Sequence, residues 1–124
     1  MLVSPVLAVA AFASAVSLLH PGTAPRVVGL ADSGRTISAQ HGARLELRLP
    51  GQLRWTPPRV RGRAVALTRI VFIRDPGYLA WSVVARARGT ATVTAVGYGE
   101  QSIRRTCDPG PCRPRLLHLS FVVR

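Results

Sequence analysis

The residues able to do chemistry in this chain are few and scattered: Cys107 and Cys112, the histidines His20, His41 and His118, five acidic residues, and seventeen basic residues that are all arginine. The cysteines enclose Asp108-Pro109-Gly110-Pro111. A close pair across a Pro-Gly turn reads as a disulfide once the chain is exported, and closing so short a loop stabilises by about 2 kcal/mol on the chain-entropy model. As a metal site the pair falls short, because zinc takes four ligands and the histidines show no paired spacing to complete a set. Catalysis is supplied no better. No serine sits in a nucleophile elbow, no His-Glu-x-x-His occurs, and no glycine loop precedes a helix. The chain reads as a non-enzyme, with no metal and no cofactor.

What remains is recognition by charge and by aromatic surface. The formal net charge is +12, which attracts anions in a salt-dependent way without naming one. Arginine without lysine points to GC-rich codon usage, and so to a high-GC bacterium of actinobacterial type. Arg59, Arg61 and Arg63 alternate, as do Arg86 and Arg88, the pattern of a solvated strand face. Arg104 and Arg105, with Arg113 and Arg115, surround the cysteine loop and are better placed for an anionic envelope component. Trp55 and Trp81 fall in strands and read as core packing. Tyr78 and Tyr98 fall in connections and are candidate contacts, together with Gln52 and Arg54. Aromatics are too few, and too far from the basic runs, for a specific nucleic-acid platform.

Positioning these groups requires strands. From Arg44 the residues alternate, with Leu45, Leu47 and Leu49 on one face and Arg44, Glu46 and Arg48 on the other, before Pro50-Gly51 turns the chain. Upstream, Val27 to Leu30 and Thr36 to Ala39 read as short strands around the turn Asp32-Ser33-Gly34. Downstream, Pro57-Pro58 marks an irregular or edge segment through Arg63. Ala64 to Ile73 is apolar, with Arg69 inside it, and Asp75-Pro76-Gly77 is a turn whose Pro sets φ and whose Gly takes the left-handed position, so another strand pair flanks Arg74 to Tyr78. Leu79 to Ala87 places Trp81, Val83 and Ala85 on one face. Thr90 to Val96 turns Ala91, Val93 and Ala95 inward and threonines outward, and the two segments look like a hairpin about Arg88-Gly89. The last strand carries Leu117, Leu119, Phe121 and Val123 on one face, with His118 and Ser120 on the other. This is the pattern of an all-β sandwich of about seven short antiparallel strands. If successive strands run antiparallel, the connections Pro50 to Arg54, Arg74 to Tyr78 and Gly97 to Arg115 emerge at one end.

Before the strands, Leu2 to Leu19 is uncharged and contains Ala13-Ser14-Ala15, a small-x-small cleavage pattern. Residues 1–24 read as an export signal or, failing cleavage, a membrane anchor, and residues 25–124 as one domain. No basic residue precedes the apolar run, which leads to the expectation that Met1 is an internal start. The localisation expected is secreted, or the outer face of the cytoplasmic membrane.

The segment Gly34 to Trp55, GRTISAQHGARLELRLPGQLRW, resembles chagasin-type proteins, whose domains carry a short strand, a glycine turn, a strand ending in Leu-Pro, then a loop and a tryptophan. The resemblance extends over about Val27 to Arg124. It implies an immunoglobulin-like β-sandwich. Some members of that family inhibit papain-type cysteine peptidases by wedging three same-end loops into the cleft. In the first loop only Trp55 matches the family's Asn-Pro-Thr-Thr-Gly-Tyr and tryptophan. The third has Arg113-Pro114-Arg115 where the inhibitors have Arg-Pro-Trp, and the glycine-rich middle loop is replaced by Arg74-Asp75-Pro76-Gly77-Tyr78. The reading is an exported binding module whose partner is a protein or an anionic envelope component, with peptidase inhibition as the alternative.

Overall fold

Alternating apolar side chains are the strongest local instruction in this chain, and they fold as strands. The computed structural model describes residues 25–99 and 113–124. Within them lie β1 (Arg26–Gly29), β2 (Thr36–Ala39), β3 (Arg44–Pro50), β4 (Arg54–Trp55), β5 (Arg59–Arg61), β6 (Val65–Ile70), β7 (Tyr78–Ala85), β8 (Gly89–Tyr98) and β9 (Arg115–Val123), with one 3-10 turn at Leu30–Asp32. The expected leader at 1–24, and the Cys107–Cys112 bridge, lie outside the described residues.

The strands form two sheets, ordered β1-β3-β7-β6 and β2-β9-β8-β4, with β5 also paired to β8. Successive residues of a strand face opposite sides, so each sheet turns one apolar face inward. β3 supplies Leu45, Leu47 and Leu49, and β7 supplies Trp81, Val83 and Ala85 from the first sheet. Across the interior β8 offers the small Ala91, Val93 and Ala95, while β9 offers the large Leu117, Leu119 and Phe121. Small residues beside large ones let the two inner faces interdigitate. Each fully buried Leu, Val or Phe contributes about 1.5–3 kcal/mol relative to exposure.

The all-β sandwich stands as expected, with three differences in its wiring. β1 runs parallel to β3, and β2 parallel to β9, so the pairing is mixed rather than wholly antiparallel. The segments around Arg88-Gly89 are not a hairpin. β7 has both edges occupied, by β3 and β6, so the chain crosses to the other sheet, where β8 pairs with β9. That crossing turns Val83 and Val93 toward one another across the core instead of side by side. Gly89, at φ +134°, makes the bend in a conformation that L side chains rarely adopt. The third difference is that β6 stops at Ile70, which leaves Val71, Phe72 and Ile73 in the connection to β7.

Candidate functional site

The connections β3–β4 and β6–β7 meet at one end, where β8 also ends and β9 begins, although the strands are not uniformly antiparallel. The last rung between β3 and β7 pairs Pro50 with Tyr78, and the last between β8 and β4 pairs Tyr98 with Arg54. The first two connections touch directly: the Gly51 N–H donates to the Gly77 carbonyl at 3.1 Å. A Cβ at Gly51 would stand 2.6 Å from that same oxygen, so only glycine permits the approach.

Trp55 fastens the end of β8 to the end of β3. Its indole N–H donates to the Pro50 carbonyl at 3.0 Å, and its six-membered ring covers Gly97, where a Cβ would lie 2.8–2.9 Å from three ring atoms. The tryptophan is half-buried and packs against the core. It therefore acts as a structural lock between β4 and β8 rather than as a free contact. Thr56 adds a reciprocal clasp, its N–H donating to the Val96 carbonyl at 2.8 Å while its hydroxyl accepts from the Val96 N–H at 2.9 Å.

The middle connection departs most from expectation. Val71 is 86% exposed, Ile73 fully so, and Phe72 38%. These consecutive apolar side chains stand at the tip, flanked by Arg69 and Arg74. Phe72 meets the Tyr78 ring edge-on at 5.6 Å between centroids. The Arg48 guanidinium lies over the Tyr78 ring at 4.6 Å and pairs with Glu46, whose hydrogen bond raises the Arg48 pKa above its ordinary value. The cation on the tyrosine face is thus permanent. Arg69 stacks on Trp81 at 5.1 Å. Asp75 closes the turn by accepting from the Gly77 N–H at 2.8 Å. Between loop and strand lies a cleft of ≈ 190 Å³ reaching from Arg69 to Leu79. The tip is held from below and bare above.

Of the residues singled out from sequence, Gln52, Arg54, Tyr98, Arg113 and Arg115 are exposed and belong to this end. Tyr78 is half-buried as the first residue of β7, clamped between Arg48 and Phe72. It lies on the outer face of the first sheet and Tyr98 on the outer face of the second, so they do not form a joint anchor. Trp81 is core. Arg104 and Arg105 lie outside the described residues. Sequence reasoning missed Val71, Phe72 and Ile73 by reading them into a strand. The available signal was four apolar residues in succession from Ile70, which no half-buried strand accommodates by alternation.

Comparison of the sequence with protein-family models gives no match, and comparison with curated proteins gives none either. Solved structures do match. The cysteine protease inhibitor EhICP2 from Entamoeba histolytica superposes with a TM-score of 0.55 at 13% identity, over 80% of this chain and 94% of that one. The fold is chagasin-like. Amebosin is similar at a TM-score of 0.53 and 14% identity, over 82% of this chain and 99% of that one. PbICP-C, solved in complex with falcipain-2, follows at 0.52 and 10% identity, over 80% and 99%. At these identities the likeness is one of fold, and the chagasin-like sandwich of this chain carries its own loop chemistry.

Proposed function

We propose that this chain is an exported, non-enzymatic binding module that blocks a cysteine peptidase of the papain type. The observation that carries the reading is the convergence of the β3–β4 and β6–β7 connections at one end, with the exposed Val71-Phe72-Ile73 tip on the second of them. Two solved neighbours support it by their own nature, one a cysteine protease inhibitor and the other bound to falcipain-2. The mechanism is occlusion. A rigid end, braced by Gly51, Trp55 and the Arg48–Tyr78 stack, seats an apolar tip in the peptidase cleft and excludes substrate without any bond being made or broken. Burying an isoleucine side chain contributes about 1.5–3 kcal/mol, so Ile73 and Val71 supply the apolar anchor that the family's own loop motifs would otherwise supply. With this reading go export through the segment at 1–24 and a Cys107–Cys112 disulfide stiffening the β8–β9 connection.

The test is titration of the oxidised chain against a papain-type peptidase at moderate salt. Stoichiometric inhibition that weakens about tenfold or more in Ile73→Ser, in keeping with the loss of one buried aliphatic side chain, is the expected result. No inhibition at micromolar chain would mean that the tip serves another protein partner.

A further inference from the structure

The outer face of the second sheet carries a groove that the peptidase reading leaves unused. Its floor is Thr92 and Thr94 of β8; Arg59 and Arg61 of β5 wall one side and His118 of β9 the other, enclosing ≈ 490 Å³. Register builds it. Arg59, Thr94 and His118 lie in one row across three strands, and Arg61, Thr92, Ser120 and Thr36 in the next across four. Strands lie about 4.8 Å apart, so the arginine wall stands roughly 10 Å from the histidine wall, with short hydroxyl side chains between. The His118 backbone is pinned, its N–H donating to the Ser33 hydroxyl at 2.9 Å and its carbonyl accepting from the Gly34 N–H at 2.7 Å. The strand position that carries the imidazole is thereby fixed on this face.

Among the described residues the charge of the face has one sign. The acids among them are Asp32, Glu46 and Asp75, and each is engaged elsewhere: with the Gly29 N–H, with Arg48 and with the Gly77 N–H. The described ion pairs include neither Arg59 nor Arg61. Two guanidinium groups two residues apart on an extended strand project about 6.8 Å apart on the same side, a spacing suited to successive anionic groups along a linear chain. Arginine forks match phosphate oxygens, while the threonine and serine rows offer partners for hydroxyls between the phosphates. Stacking is what the face lacks among the described residues. The exposed Tyr98 is four residues further along β8, roughly 13 Å away, so nucleobases find no aromatic platform beside the arginines.

We infer that this groove is a binding site for a polyol phosphodiester polymer, the arginines of β5 taking successive phosphates and the hydroxyl rows of β8 and β9 the polyol. The site is independent of the tip and does not rest on the peptidase reading.

The experiment titrates the full chain with poly(glycerol phosphate) between about 50 and about 200 mM salt. The double variant Arg59→Gln with Arg61→Gln should bind about tenfold more weakly at the lower salt, and its plot of log K against log salt should flatten by about one per arginine. Arg44→Gln with Arg88→Gln removes the same charge from exposed positions clear of the groove and should stay within about twofold. Equal loss in both pairs would reduce the effect to net-charge attraction and overturn the site. Thr92→Val with Thr94→Val keeps the β-branched shape and deletes only hydroxyls; it should lower affinity several-fold, and unchanged binding would refute the polyol assignment. Tighter groove-dependent binding of oligothymidylate or polyglutamate at matched salt would also overturn it. Peptidase inhibition should be the same in wild type and in the β5 double variant, which separates failure here from failure of the tip reading.

Discussion

Gly97→Ala is the sharpest single test of how the loop end is held. The backbone of Gly97 is not in the left-handed region, so the cost of a methyl is steric. The added Cβ would meet Cζ2, Cε2 and Cη2 of Trp55 at 2.8–2.9 Å. A rigid indole yields only by moving as a unit, and moving it breaks its 3.0 Å hydrogen bond to Pro50. Overpacking of this kind costs about 1–3 kcal/mol and a lost hydrogen bond about 1 kcal/mol, which together make about 2–4 kcal/mol. For a domain of this size that lowers Tm by on the order of 10–25 °C. The assay is denaturant unfolding with unchanged m, followed by the cycle with Trp55→Leu. The smaller side chain removes the clash, so the double variant should be more stable than the sum of the single effects by about 1–3 kcal/mol. A Gly97→Ala chain within about 0.5 kcal/mol of wild type, or strict additivity in the cycle, would show that Trp55 does not lock β4 to β8.

Gly51→Ala should part the first and middle connections at the Gly51–Gly77 contact, so peptidase affinity falls by more than the change in unfolding free energy accounts for, read by paired titration and melting. Phe72→Ala should lose the edge-on contact with Tyr78 and cost about 0.5–1.5 kcal/mol beyond its area burial, measured by chemical unfolding. Gly62→Ala should destabilise by more than about 1 kcal/mol, because Gly62 sits at φ +100° with the Thr90 carbonyl 2.6 Å from its would-be Cβ; a melt unchanged from wild type would be the contrary outcome. Reduction and alkylation of the cysteines should weaken peptidase inhibition by loosening the β8–β9 connection, checked by comparing the inhibition constants of the two forms.

Much of the framework was legible because burial on one face writes itself into a period of two. β2 falls where Thr36 to Ala39 was read, the inward faces of β3, β8 and β9 match residue for residue, and the left-handed glycines at Gly34 and Gly77 sit in the turns assigned to them. Pairing was less legible. The pattern tells which side of a strand is apolar but not which sheet it joins, so β7 and β8 looked adjacent when they face each other across the core. The parallel pairing of β1 with β3 is equally invisible, since it depends on a chain that crosses between sheets early. The site was legible only in outline. The shared end followed from counting turns, and Gln52, Arg54, Tyr98, Arg113 and Arg115 do lie there. The tip was misread because Val71-Phe72-Ile73 has the composition of a buried strand and gains its exposure from where β6 ends. The groove was half seen: alternation put Arg59 and Arg61 on one face, but only register brings Thr92, Thr94 and His118 opposite them.

The division of labour along β8 explains how so little shared sequence can accompany so much shared shape. Residues facing inward on β8 are constrained by volume alone, and many sequences satisfy alternating Ala and Val; this suffices for a chagasin-like sandwich at 10–14% identity. Gly97 is constrained by a single contact with Trp55. The outward residues are constrained by neither packing nor turns, so Thr92, Thr94 and Tyr98 are free to take on whatever chemistry the surface needs. Tip and groove are then two uses of the same freedom, one at the end of the sheets and one on a face. Tyr98, at the loop end, lies four residues along β8 from Thr94, roughly 13 Å, so the groove and the loop end are separate surfaces. A module held by one face to an anionic polymer keeps its strand-end loops to the side of that contact, in the plane of the sheets, and that geometry gives the arginine-rich sheet a reason to differ from the apolar tip.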